Sequence, residues 1–465
     1  MEFVIGIILV LTFFGLAYYC VKGHNLMIGF LIISIVWTAL SLLGTLVASP
    51  TFIAENPILQ FGGDSSTTLV SILNKIYQSA PEGWGTTLVN VCWGAWFGRV
   101  LMETGIASTL IRKTVELGGD RPIITIVLLN VVTAFIFTAM MGAGPVIAIG
   151  VIVLPILMSL GIPKAIAMFT FMGSVSAGMY LNPVLQFSQL RAFICASDEM
   201  PEFSFSWYTS HWGIYALIIS VVVVSVLTGI YLKIGKKSHA WAAQAAPKNT
   251  QTDAPLIALI LPIVPVVLKI WLDFSVIGGF VIAGFAALFL CGKMNKSFKE
   301  NCQLVNKLYY DGVVDTAPLV GFLLTLPMFN TCASYASPYF KEVLGGIMPT
   351  NEYVVCALFA ALSILGFFRG PLTLYGCGAA TLGVLSAVGH FSVPFLFCVF
   401  TIPATTVNVG SCITQSWIAW GLAYTKVESR DYLKLSIPFA YICSILLYIL
   451  TAFTVTGLGP EWFLS

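Results

Sequence analysis

Long apolar stretches, each near the roughly 20 residues that carry a helix across a hydrocarbon core of about 30 Å, recur along this chain and leave little room for a soluble domain. They fall at about 3–20, 26–48, 87–110, 164–197, 211–234, 255–271, 275–292, 313–331, 392–424 and 435–457. A segment in lipid must satisfy its own backbone polar groups, so spans of this kind are helical. The expected fold class is an all-α polytopic membrane protein with about ten transmembrane helices. Composition agrees: 9% of the residues are charged, against about 25% in soluble domains.

Two further pairs of apolar segments, 122–141 with 145–160 and 353–368 with 371–388, meet at Gly144-Pro145 and Gly370-Pro371 and are expected to be two re-entrant hairpins. The two Gly-Pro pairs belong to a repeat. Gly150, Asn182, Gln189 and Met102 recur as Gly376, Asn408, Gln415 and Met328, each 226 positions later. Such residues serve no local need in an apolar helix. Matching interruptions in two halves of a chain point to a transport site built from broken helices.

Lysines and arginines collect in cytoplasmic loops, and here they sort to one side: Lys22, then Arg112, Lys113, Arg121 and Lys164, then Lys236, Lys237 and Lys248, then Lys293, Lys296, Lys299 and Lys307, then Lys426, Arg430 and Lys434. The opposite side carries Glu55, Asp64, Glu82, Asp198, Glu199, Glu202, Glu352 and Glu461, against Lys75 and Lys341. Both termini are then outside, and the hairpins enter from opposite faces. The chain divides into a first inverted-topology repeat over 1–234, a cytoplasmic linker over 235–254 and a second repeat over 255–465. Within them lie re-entrant hairpins at about 122–160 and 353–388, broken helices at 164–197 and 392–424, and surface helices at about 67–80 and 296–310.

The hairpin tips carry the chemistry. Glycine lets backbone approach a ligand, proline opens the next helix, and a helix N-terminus favours anions. Gly142, Gly144, Gly370 and Thr373 are therefore candidate substrate contacts. Arg369 lies at the second tip, at a depth where arginine costs about 2.5–3.5 kcal/mol on insertion scales. A bound carboxylate matches its planar fork; snorkelling, or a salt bridge to Asp315 or Glu103, is the alternative. Asn182, Asn408 and Thr405 in the broken helices offer donors and acceptors to substrate or to neighbouring helices. Arg99 and Glu103, four apart, are expected to pair on one helix face. Glu103 and Asp315 are the candidates for coupling-ion carriers, with H+ or Na+ as the ion and no other cofactor.

Enzymatic readings find no support in the sequence. His24, His211, His239 and His390 are isolated, and no phosphate-binding loop is present. The eleven cysteines form no metal-ligand spacing and read as buried thiols. The first apolar run lacks a basic leader and a cleavage motif, and is read as a retained helix.

At these residues the chain resembles the ion transporter superfamily, most of all its gluconate, citrate and C4-dicarboxylate permease branches. The stretch from Trp93 to Gly105, with Ala107 to Gly119, and the run Leu154-Pro155 through Gly161-Ile-Pro163 are most similar to the gluconate branch. The resemblance implies an elevator-type carrier, usually a homodimer, with 122–197 and 353–424 as the moving part. The Ser-Asn-Thr signature of the sodium-coupled dicarboxylate branch is absent from both tips. The expected function is secondary transport, in the inner (plasma) membrane, of a small organic anion such as a carboxylate or sugar acid. A cation/proton antiporter without an organic substrate is the alternative. Expected partners are that anion, the lipid bilayer and a second copy of the chain, with no nucleic acid.

Overall fold

A computed structural model describes residues 1–21, 24–59, 69–118, 122–140, 142–195, 200–234, 253–272, 274–346, 349–376 and 378–459. Helices joined by short turns account for nearly all of them. Met27–Val47, Phe205–Ile234 and Ser429–Thr454 are each long and apolar enough to cross a membrane. The other apolar segments are interrupted into shorter helices, and their breaks follow the glycines and prolines. Lys22, Asp64, Arg121, Asp198, Glu199, Lys236, Lys237, Lys248 and Glu461 lie outside the described residues, as does the linker up to Asp253.

The stretch expected to hold a surface helix at 296–310 and a crossing at 313–331 is instead one helix, Phe298–Leu344, of 47 residues. At 1.5 Å per residue its contour is about 70 Å. Ser297 and Glu300 close its start with a capping box. The equivalent stretch of the first half is cut into Ala80–Gly83, Gly85–Glu103 and Ile106–Gly118. The first half carries breakers at positions where the long helix has none, although that helix itself runs through Gly312, Pro318, Gly321, Pro327 and Pro338. Pro81, Gly83, Gly85 and Gly105 in the first half face Lys307, Tyr309, Asp311 and Thr331 in the second. Gly105 has φ of 74°, a left-handed conformation that threonine resists.

The long helix is the spine of one group of elements, packing against Glu2–Val21, Leu26–Val47 and Gly85–Glu103. Helix Lys164–Met179 is the core of another. It is buried from Ile166 to Met179 and packs against Pro122–Phe137, Ile214–Ile234 and Ser429–Thr454. The segment expected as the first hairpin forms helices Pro122–Phe137 and Ala143–Ser159. The segment expected as the second forms Glu352–Ala361 and Ser363–Arg369, bent by 65°, and Gly378–Val388.

Candidate functional site

Both broken helices open into a π-helical turn that begins at proline, Pro183–Ser188 in the first and Pro403–Val409 in the second. Proline lacks an N–H and clashes with the preceding turn, so each helix must widen there. Carbonyls released by the breaks need donors. Tyr208 Oη donates to the Tyr180 carbonyl at 2.8 Å, and Tyr432 Oη donates to that of Gly410 at 2.7 Å. Tyr180 Oη also meets Thr406 Oγ1 at 2.6 Å, and these two residues lie 226 apart. That separation equals the interval read from the sequence, and the contact joins the end of helix Lys164–Met179 to the second π segment.

The two tips differ in what holds them. At the first, Asn182 Nδ2 donates to the carbonyls of Phe137 and Met140, and its Oδ1 accepts from the Val184 N–H. Asn182 thus ties the tip to the broken helix. Gly142 caps Ala143–Ser159 with φ of 90° and lies against Thr316 of the long helix. Gly144 abuts Asp315 so closely that a Cβ would stand 2.2 Å from Oδ2. Asp315 is clasped by Arg99, with Nε to Oδ2 and Nη2 to Oδ1 both at 2.6 Å. A carboxylate of the protein itself therefore stands at this helix N-terminus.

This arrangement revises the expected charge pairs. Arg99 does not pair with Glu103 on its own helix but crosses to Asp315, because the long helix presents a carboxylate to its fork. Glu103 lies instead 3.6 Å from Lys293. Arg369 bonds neither of its expected acidic partners. Its Nη1 donates to the Tyr375 carbonyl at 3.0 Å and its Nη2 to Gln415 Oε1 at 3.3 Å. Of the coupling-ion candidates, one carboxylate is clasped bidentately and the other lies beside a lysine.

The second tip is a tight loop. Phe368 and Arg369 have φ of 54° and 61°, a region that costs non-glycine residues about 1–3 kcal/mol each. Pro371, expected to open the returning helix, lies in turns instead; the helix starts at Gly378. Thr381 Oγ1 donates to the Pro371 carbonyl at 2.6 Å, and the Thr373 carbonyl accepts from the N–H groups of Gly376 and Gly378 at 2.9 Å. A Cβ on Gly376 would lie 2.0 Å from the Arg369 carbonyl. Only glycine lets the loop close around Arg369.

Around this tip lie fully buried polar atoms with no hydrogen-bond partner: Thr373 Oγ1, both amide atoms of Asn408, Gln186 Oε1 and both amide atoms of Gln189. Packing contacts link their segments. Gln186 Nε2 donates to Thr405 Oγ1. Phe193, one turn beyond Gln189, meets the Tyr375 ring edge-on at 6.1 Å. The turn carrying Arg369 packs on the second π segment, Gly366 lying against Pro403 and Val407. Buried polar groups are nearly always satisfied, so this cluster is unusual. Among the described residues named here it sets the Arg369 guanidinium near neutral donors and acceptors.

A solved structure aligns in overall fold with almost the whole chain. It is the YdaH transporter of Alcanivorax borkumensis, described as having an unusual topology, and it aligns with a TM-score of 0.56 over 94% of this chain and 100% of its own, at 13% identity. The chain has a transporter's fold. No family model and no curated protein matches the sequence.

The structure places the expected contacts unevenly. Arg369, Gly370 and Thr373 share the second tip, with Thr405 and Asn408 on the π segment packed against it. Gly142 and Gly144 face the long helix, and Asn182 is committed to tip carbonyls. Reading the sequence for sites missed Gln186 and Gln189 as members of the cluster. Gln189 already stood out as a repeated polar residue in an apolar helix; Gln186 had no such signal.

Proposed function

We propose that the chain is a secondary transporter that carries a small organic anion, a carboxylate or sugar acid, with H+ or Na+ as the coupling ion. The observation that carries this reading is the buried cluster at the second tip, one guanidinium beside unpartnered amides and a hydroxyl. A carboxylate matches the planar guanidinium fork, and the neutral groups bond the rest of the solute. The fold shared with a transporter supports the same reading. The resemblance to the gluconate, citrate and C4-dicarboxylate permeases supports the elevator mechanism and the homodimer, with 122–197 and 353–424 moving together against the rest.

The repeat and the loop charges support two inverted halves, 1–234 and 255–465, both termini outside and residence in the inner membrane. An antiporter needs a carboxylate that exchanges protons or cations. Asp315 and Glu103 both lie against basic groups here, which favours the organic anion. Uptake into proteoliposomes from a panel of labelled carboxylates, with pH or sodium gradients imposed separately, tests the reading. Accumulation of at least one carboxylate above its equilibrium level is expected. Gradient-driven sodium or proton flux with no carboxylate uptake would replace it with the antiporter.

A further inference from the structure

The repeat supplies an internal control for Gln189. Its counterpart, Gln415, spends its carbonyl oxygen on Arg369. The position 226 residues before Arg369 is Ala143, so the first half has lost the cation and kept the glutamine. Gln189 is fully buried, and both its amide atoms are without partners. Gln186, one turn earlier, has its amide nitrogen held by Thr405 and its Oε1 unpartnered. Burying such atoms unsatisfied is unfavourable, and glutamines that only fill space are more cheaply replaced by methionine or leucine.

We propose that Gln189, assisted by Gln186, holds a hydroxyl of the transported anion and so determines which carboxylates are accepted. This inference rests on the proposed function and goes further in assigning selectivity to these two amides. Their two carbonyl oxygens call for a donor on the ligand, and the Gln189 amide nitrogen calls for an acceptor. A hydroxyl supplies both. An ammonium group supplies only donors and would need a carboxylate beside it, whereas among the described residues the groups named here are amides, hydroxyls and Arg369. A site built to bond a hydroxyl discriminates against the analogue that lacks it far more strongly than an apolar pocket does.

The test uses the full chain in proteoliposomes, with matched solutes differing by a single hydroxyl, lactate against propionate and malate against succinate, and with alanine as the ammonium arm. Wild type is expected to prefer the hydroxylated member of the pair it transports. Gln189→Met, which keeps the volume and removes the polar atoms, is expected to cut that preference at least ten-fold. Without substrate its thermal midpoint is expected to match or exceed that of wild type, since an unsatisfied buried amide is gone, while the shift given by the hydroxylated solute shrinks. A merely structural glutamine would lower the midpoint and leave selectivity intact. Undiminished preference in Gln189→Met overturns the inference and leaves the transporter standing, as does a wild type that ignores the hydroxyl or prefers alanine. If no carboxylate enters wild-type vesicles, the functional reading itself has failed and this inference with it.

Discussion

Arg99 and Asp315 illustrate how single residues set the two tips apart. Their bidentate pair spans two helices, and only glycine at 144 leaves room for the carboxylate. Removing one partner of a fully buried pair costs about 3–5 kcal/mol; Arg99 keeps 30% of its side chain exposed, so about 2 kcal/mol is the fitting expectation after screening. Asp315→Asn should therefore lower the thermal midpoint of the purified protein. Adding Arg99→Gln should restore part of the loss, a coupling that a double-mutant cycle measures. Equal losses that simply add would show that the pair contributes no interaction. At this scale the sequence disclosed which residues are costly at membrane depth but not whom they meet. Arg99 had Glu103 one turn away, and only the packing of the long helix shows that Asp315 wins.

Elements were legible where glycine and proline punctuate them. Helices occupy most of the apolar runs, and several of their ends fall at glycine or proline, as at Gly105, Gly142, Pro183 and Pro403. The fused helix Phe298–Leu344 was missed because its polar start reads as a surface segment, and because it runs on through Gly312, Pro318, Gly321, Pro327 and Pro338, residues that ordinarily mark breaks. The register of the second tip was missed for a related reason. Pro371 marks the tip, yet the chain needs several more residues of turn before Gly378, since Arg369 and Gly376 must close against each other. Gly376→Ala should open this loop and displace the arginine. Weakened carboxylate binding of ten-fold or more is the expected result, with the thermal midpoint of the substrate-free protein moving far less than the affinity. Unchanged affinity would show that the loop's closure has no bearing on the site.

For the whole molecule, composition and apolar runs pointed to an all-helical chain, because bilayer and backbone chemistry leave few alternatives. Tyr180 and Thr406, 226 residues apart, meet in the fold, a contact that no local pattern discloses. Loop charge predicts both termini outside, an expectation that impermeant labelling of cysteines introduced near residue 3 and residue 458 would check in intact cells. Labelling at both without permeabilisation is expected; protection of either reverses or breaks the proposed symmetry. The two tips differ in structure, the first abutting the Asp315 carboxylate and the second carrying Arg369 near buried polar atoms without partners, and the proposed function assigns the anion to the second.

Equilibrium binding of a transported carboxylate to wild type, Arg369→Ala and Arg369→Lys tests that claim most directly. Loss of the charge-assisted fork, worth about 1.5–3 kcal/mol, predicts affinity at least ten-fold weaker for Arg369→Ala, with Arg369→Lys between the two. Arg369→Ala that binds and transports the same carboxylate as wild type does would contradict the placement of the anion at the second tip.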